Sequence, residues 1–246
     1  MKRSLFVATS LTAALAGCAK TTNALNGAPQ VRRVLDAASA LDRAVIGSRG
    51  SAKLYGETDI TRDFPTNGNP TPDDDAYRRL RSAGFAGYIL PVAGLVERPQ
   101  GFTLRRLREL ATLTQITRHD CVEGWSVVGK YTGVPLEALL ALVRPRRQAR
   151  YVVFQSFDHD GDGTPFYGSL DLAQAAHPQT QLTLALNGAP LDADHGAPVR
   201  LRIPTQLAYK STKWVRRIEL VDSFARIGGG RGGYWEDNGY DWYAGV

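Results

Sequence analysis

The most reactive side chains of this chain sit close together. His119 and Cys121 are two residues apart in the run His119-Asp120-Cys121-Val122-Glu123. On an extended backbone residues at that spacing share a face, so a thiol and an imidazole can meet as a Cys–His nucleophile pair. A lone Cys reads equally well as a small buried hydrophobe. A second cluster, Asp158-His159-Asp160-Gly161-Asp162-Gly163, places carboxylates at alternate positions as calcium loops do. Position twelve of such a loop is Ser169 rather than a bidentate Glu, so an acidic turn is the plainer reading. A third, Gly228-Gly229-Gly230-Arg231-Gly232-Gly233, can fold its backbone N–H groups into an anion-binding nest. It lacks the Gly-Lys-Ser/Thr ending of a phosphate loop, and a flexible turn is its plain alternative.

The elements around these residues are short. Apolar spacing predicts helices over residues 31–46, 76–81, 103–110 and 135–143, the last with Pro at its first turn. A further helix is expected from a Ser169 cap through Ala176, stopping before Pro178. Strands are predicted over 88–96, 112–118, 151–157, 182–186, 199–203 and 214–221. Asn187-Gly188 is a hairpin-turn signal. Residues 47–75 read as loop, and the tail from Gly228 to Val246 is rich in Gly and aromatic residues. Many strands and few short helices, in no regular alternation, predict an α+β fold of mixed sheets. Trp125, Trp214, Trp235 and Trp242 are expected in the core or at its rim, not as substrate contacts.

The chain has 246 residues with 43% apolar and 22% charged side chains, a globular composition that excludes collagen-like and wholly disordered chains. The net charge is +6, and only 6 of the 30 basic residues are Lys. Arg suits bidentate recognition of oxyanions and phosphates. The Arg residues are scattered, and no nucleic-acid-binding motif accompanies them. After the N-terminus no apolar run reaches the ~18 residues of a membrane span.

The N-terminus reads as a targeting segment. Lys2-Arg3 precedes an apolar stretch from Leu5 to Ala16 and then Leu15-Ala16-Gly17-Cys18, the layout of a signal peptide with the look of a bacterial lipobox. Residues 1–17 are therefore expected to be a signal peptide, with lipid on Cys18, and residues 18–30 a tether. Residues 31–57 are expected to form an N-terminal helix and linker, and 58–246 the working domain. Acyl chains on Cys18 would then hold the chain at a membrane outside the cytoplasm. Cys121 is left without an intrachain partner, which is unusual in an oxidising compartment.

Several short motifs recur in a telling order: Cys121-Val122-Glu123-Gly124-Trp125, Gly133-Val134-Pro135-Leu136, His195-Gly196-Ala197-Pro198-Val199-Arg200, and Tyr209-Lys210-Ser211-Thr212-Lys213-Trp214. Together they resemble the molybdopterin-binding domain of the sulfite oxidase superfamily. The nearest branch is the bacterial one of periplasmic methionine-sulfoxide reductase catalytic subunits. The resemblance spans about residues 58 to 246. It implies the superfamily's strand-rich fold, a molybdenum–molybdopterin cofactor and two-electron oxygen-atom transfer. A thiolate suits high-valent molybdenum already held by pterin sulfurs, and a single protein ligand leaves positions open for chemistry.

The resemblance makes Cys121 the molybdenum ligand and Glu123 a carboxylate near the metal, able to relay protons. It assigns cofactor contacts to Asn67, to Ser156 in place of a Thr, to His195 in place of an Asn, and to Arg200. It assigns further contacts to the Tyr209, Lys210, Ser211, Thr212 and Lys213 stretch, which offers hydroxyls, ammoniums and backbone N–H groups to the pterin phosphate. Each has a plain alternative: Lys210 and Lys213 as solvated charges, Arg200 as a structural ion pair, Glu123 as a turn carboxylate.

Departures from the pattern bear on the substrate. Sulfite oxidases carry Cys-Ala-Gly-Asn-Arg-Arg at the ligand and an Arg before the early Asn; here Gly124-Trp125 follow Glu123, and Thr66 precedes Asn67. Loss of those Arg residues argues against a small oxyanion and for reduction of an S-oxide or N-oxide, on a small molecule or an oxidised protein. No Cys-x-x-Cys-His haem motif occurs, so no haem of its own is expected. An external electron-transfer partner follows, at family level a membrane haem protein. A monomer is expected because the superfamily's C-terminal dimerisation domain is missing. Cofactor insertion in the cytoplasm implies export of a folded protein, with Lys2-Arg3 standing in for a twin-arginine signal. The rival readings are oxidation of a small substrate as in sulfite oxidases, a cofactor-binding protein without turnover, a metal-free Cys–His hydrolase, and a calcium-stabilised structural protein.

Overall fold

A computed structural model describes residues 50–246 of the chain. The expected signal peptide, tether and lipid-bearing Cys18, and the helix expected over 31–46, lie outside the described residues.

Among the described residues ten strands form two five-stranded sheets. The first has the order β2-β1-β10-β5-β6, and the second the order β3-β4-β7-β8 with β9 also on β7. The strands are β1 (Ile89–Gly94), β2 (Gln100–Thr103), β3 (Leu113–Asp120), β4 (Ser126–Pro135), β5 (Tyr151–His159), β6 (Pro165–Asp171), β7 (Gln181–Leu186), β8 (Ala189–Pro190), β9 (Arg200–Arg202) and β10 (Val215–Val221). Pairing is antiparallel except β1 with β10. The helices are α1 (Asp75–Ser82), α2 (Leu104–Leu110), α3 (Leu136–Val143), α4 (Leu172–Ala175) and α5 (Tyr234–Asp237). The α+β class expected from the strand and helix signals is the observed one. Among the described residues no helix is long and apolar enough to cross a membrane.

The local causes are legible. Asp74 caps α1 by accepting from the Tyr77 N–H at 2.7 Å, and Thr103 caps α2 through the Arg106 N–H. In α3, Leu136, Leu139, Leu140 and Val143 are buried, one helical face at the i, i+3, i+4, i+7 spacing. Residues of β1, β5, β7, β9 and β10 join that face in one apolar cluster, which burial of apolar surface holds together. β5 is buried along nearly its whole length, as a strand flanked on both edges and covered must be. At the β7–β8 hairpin Asn187 and Gly188 take φ 52° and 86°, the pair of positive φ values that a two-residue hairpin turn needs.

Two expectations are corrected. The helix expected from Ser169 does not start there: β6 continues through Asp171, and the short α4 is capped by Asp171. Ser169 pairs with Val153 of β5, so sheet pairing overrides its capping tendency. β4, between β3 and β7, was missed because Gly129 and Gly133 interrupt its pattern. Both glycines serve close approach: a Cβ on Gly133 would lie 2.1 Å from the Leu182 carbonyl oxygen. The described residues belong to one compact unit, Ser48–Val246. Leu54 already bridges Thr117 of β3, so chain ahead of residue 58 packs on the second sheet.

Candidate functional site

The loop Cys121–Trp125 closes the β3–β4 hairpin. The Cys121 N–H donates to the Trp125 carbonyl at 2.9 Å, and the Gly124 N–H to the Cys121 carbonyl at 3.1 Å. Gly124 has φ 89°, a conformation that favours glycine. This tight loop fixes Cys121, 9% exposed, on the wall of a cavity of about 220 Å³. Cys121 is the free cysteine among the described residues. Burial pushes its thiol above the ordinary range, and the Glu123 carboxylate adds to the effect.

The far wall comes from the start of β10 and the turn before it. Trp214 has φ 50°, rare for a bulky residue. It is nevertheless locked in place: its indole N–H donates to the Ala193 carbonyl at 2.7 Å, and the Trp214 carbonyl accepts from the Phe157 N–H at 2.9 Å. This bend lets residues 211–213 leave the sheet, and Ser211, Thr212 and Lys213 line the cavity. The Lys213 ammonium donates to the carbonyls of Asn67 (2.8 Å), Asn69 (2.7 Å) and Asp194 (3.2 Å). It lies 4.0 Å from the Trp214 ring centroid. Burial, with help from the Arg200 charge, holds its pKa down to about 7. Ser156 of β5 donates to the Lys213 carbonyl at 2.9 Å and accepts from the Asp158 N–H, tying the Lys213 stretch to β5.

Of the residues singled out in the sequence, Asn67, Cys121, Glu123, Ser156, Tyr209, Ser211, Thr212 and Lys213 line this one cavity. They come from segments separated by nearly 150 positions of chain. Glu123 accepts from the Trp125 indole at 2.9 Å. Lys210 does not join them. It is 1% exposed and paired with Glu236, so it is neither a solvated charge nor a cavity-lining group. His195 and Arg200 are also outside the lining. The His195 Nδ1 is 2.7 Å from Asp192, and the Arg200 guanidinium donates to the His195 carbonyl at 3.1 Å.

Arg200 is 1% exposed, and its Nε and second terminal nitrogen have no hydrogen-bond partner. Burial, reinforced by Arg202, holds its pKa down to about 10. His119 is equally buried, and neither ring nitrogen has a partner. Burial, then the charges of Arg202, Arg200 and Lys213, push its imidazole well below the usual range. Cys121 and His119 thus make no hydrogen bond, and the thiol is raised rather than lowered. A metal-free Cys–His hydrolase needs the reverse on both counts.

The other two sequence clusters have internal explanations. Asp160 closes the β5–β6 turn by accepting from the Asp162 and Thr164 N–H groups, and Asp158 accepts from the Asn69 amide. Among the described residues no group of three His, Cys, Asp or Glu is placed to hold a metal ion. The Gly228–Gly233 nest does bind an anion, its own Asp237: the Gly229 and Arg231 N–H groups donate to that carboxylate at 2.7 and 2.9 Å. Sequence reasoning missed Asp158 and Asn69 as lining residues. It also missed Arg202, whose guanidinium sits 4.6 Å from the Tyr131 ring centroid. The alternation Arg200-Leu201-Arg202 on a strand was the available signal, since it places both guanidiniums on one face.

The comparisons with known proteins agree with this arrangement. Residues 80–226 match the family described as "Oxidoreductase molybdopterin binding domain". The chain is 42% identical over 194 residues to "Putative protein-methionine-sulfoxide reductase subunit YedZ1" of Azospira oryzae, covering 79% of this chain and 68% of that one. It is 31% identical over 235 residues to the "Protein-methionine-sulfoxide reductase catalytic subunit MsrP" of Xanthomonas axonopodis pv. citri, covering 90% and 70%. Among solved structures it resembles the sulfane dehydrogenase SoxCD from Paracoccus pantotrophus, with a TM-score of 0.50 and 25% identity over 56% of this chain and 39% of that chain. The mixed sheets, the shared cavity around Cys121 and these matches lead to one conclusion: the chain belongs to the oxidoreductase molybdopterin-binding domain family and is a molybdopterin oxidoreductase.

Proposed function

We propose that the protein reduces methionine sulfoxide, with Cys121 as the ligand of a molybdenum–molybdopterin cofactor. The observation that carries this reading is that a free, buried thiol and the Lys213 ammonium line one cavity, with the charge of the buried Arg200 acting on Lys213. The positive charge of Lys213, Arg200 and Arg202 gathered around His119 suits an anionic group such as the pterin phosphate, with Lys213 the one of them that lines the cavity. A cation bound at Cys121 would reverse the unfavourable burial of its thiolate. The donor set therefore fits the group. On this reading Arg200 and Lys213 balance its charge, and Asn67, Ser156, His195, Tyr209, Ser211 and Thr212 shape the walls or their supports. Lys210 holds the tail that closes the cavity.

When bound, the cofactor supplies two-electron redox chemistry. The chain's own residues bind and orient the sulfoxide and deliver protons. In the balanced reaction the S–O bond breaks, two electrons and two protons are taken up, and sulfide and water leave. Glu123, beside Cys121 and held by the Trp125 indole, is the candidate proton carrier. Lys213 is the one cation among the lining residues, and its ammonium is engaged by three carbonyls. That leaves little to grip sulfite or nitrate and supports an uncharged S-oxide over oxidation of a small oxyanion. The two relatives carry the methionine-sulfoxide reductase name, which supports an oxidised protein as substrate. The wider reading adds export to the periplasm or cell envelope, lipid at Cys18, a monomer, and electrons from a membrane haem partner.

The test is molybdenum analysis of protein from a cofactor-competent host, beside Cys121→Ala, followed by methionine-sulfoxide turnover with a reduced viologen donor. About one molybdenum per chain, lost in the variant, with sulfoxide-dependent dye oxidation, is the expected result. A folded, fully exported protein without molybdenum would overturn the reading.

A further inference from the structure

The cavity has a wall that neither the cofactor reading nor the sequence motifs account for. Trp235 of α5 and Tyr240 just beyond it both line the cavity, 39% and 38% exposed. Their ring centroids are 5.3 Å apart. Tyr240 also stacks edge-on with Tyr209 at 5.1 Å, and Trp235 lies 6.0 Å from Phe166 of β6. This pair lies outside the stretch matched to the family domain, which ends at residue 226. Large aromatic rings left half in water and facing a cavity contribute less to folding than buried ones, so their position asks for another explanation.

The chain fixes that position firmly. The two residues after Trp235 are both anchors. The Glu236 carboxylate turns inward to the Lys210 ammonium, both side chains within 3% exposure. The Asp237 carboxylate fills the glycine nest and accepts from the Tyr167 hydroxyl at 2.6 Å. Gly233 makes room for the first anchor, since a Cβ there would sit 1.9 Å from a Glu236 oxygen. The Tyr240 N–H then donates to the Trp235 carbonyl at 3.0 Å, turning the second ring back beside the first. A buried ion pair and a filled nest thus hold two rings at the cavity without burying them.

We propose that Trp235 and Tyr240 form the specificity wall for the methyl–sulfur–methylene end of a methionine sulfoxide side chain. The proposal rests on the S-oxide reductase reading and names what recognises its substrate. The occupant follows from the chemistry of the cavity. Sulfur and its attached carbons make favourable contacts with aromatic rings, while the sulfinyl oxygen needs the polar side where Cys121 and Glu123 lie. A methionine sulfoxide side chain has an apolar and a polar part, and the cavity lining offers both aromatic rings and polar groups; a nitrate or sulfite ion has no apolar part to place on the rings.

The test uses molybdenum-loaded protein and N-acetylmethionine sulfoxide amide as the probe. Trp235→Ala and Tyr240→Ala should each raise KM ~10-fold, equivalent to about 1.4 kcal/mol, with kcat at saturation within about 2-fold. Trp235→Phe and Tyr240→Phe should recover most of the loss, because the ring face rather than its polar edge makes the contact. In wild type, the probe and its reduced thioether should both change tryptophan fluorescence, and Trp235→Phe should abolish that change. Molybdenum content and circular dichroism matching wild type establish that each variant is loaded and folded; if either alanine variant is not, the fluorescence titration still decides, since a response unchanged in Trp235→Phe would overturn the wall. Sulfoxide turnover with an unchanged KM in loaded, folded alanine variants would overturn the wall and leave the reductase reading standing. A loaded wild type that reduces no sulfoxide would overturn both.

Discussion

Lys210 and Glu236 form an ion pair with their side chains 1% and 3% exposed, joining the turn before β10 to the C-terminal tail. Burial holds Lys210 below its ordinary pKa even with Glu236 beside it. The ammonium also lies 5.4 Å from the Trp242 ring centroid. The sequence motif offered this lysine to the cofactor; the fold uses it to fasten the cavity's outer wall.

Removing one partner should therefore be worse than removing both. Glu236→Gln leaves a buried, uncompensated ammonium and is expected to cost about 3–5 kcal/mol. The double variant Lys210→Met, Glu236→Leu should recover a large part of that loss. Urea denaturation of the three proteins measures it, and equal destabilisation in single and double variants would contradict the pairing.

Arg200 should show the opposite balance between stability and loading. Two of its buried nitrogens have no partner, so Arg200→Met removes a buried charge with incomplete hydrogen bonding. In protein made without the molybdenum cofactor, its melting temperature should equal or exceed wild type. In a cofactor-competent host the same variant should retain much less molybdenum, measured by elemental analysis.

Lys213 gives a pH signature. Its pKa of about 7 in the folded protein lies below the ordinary 10.5. Between those values the unfolded chain holds a proton that the folded chain does not, so stability must rise with pH across the window. Below about pH 7 both states are protonated and the contribution is flat. Chemical denaturation of cofactor-free protein between pH 7 and 10 should show the rise, and Lys213→Met should reduce its slope.

Glu123→Gln tests proton delivery. Gln can still accept from the Trp125 indole, so folding and molybdenum content should match wild type. A general acid–base role contributes ~10²–10⁴-fold, and kcat for sulfoxide reduction should fall within or near that range with KM little changed. Unaltered kcat would remove Glu123 from the mechanism.

Much of the fold was legible in the sequence because its signals are local. Apolar spacing marked α3, β-branched runs marked β5 and β10, and Asn187-Gly188 marked its hairpin. The order of short motifs was enough to name the family and its cofactor. Local signals failed where pairing decides: β4 is punctuated by glycines needed for close contact with β7 and its neighbours, and Ser169 obeys the β5 register rather than its own capping preference.

The site divides along the same line. By itself, the sequence determined which residue types were available: one thiol in the domain, a Ser–Thr–Lys run, two alternating arginines, a glycine nest and an aromatic tail. Only the tertiary structure decided their use. Cys121 and Lys213 line one cavity because a hairpin tip and a left-handed bend at Trp214 both face it. Lys210, three residues from Lys213, turns away because Glu236 reaches it from the tail. The nest is filled by Asp237, and so Trp235 faces the cavity. Burial and charge pairing act between segments far apart in the chain, and no local pattern records which partner each group will find.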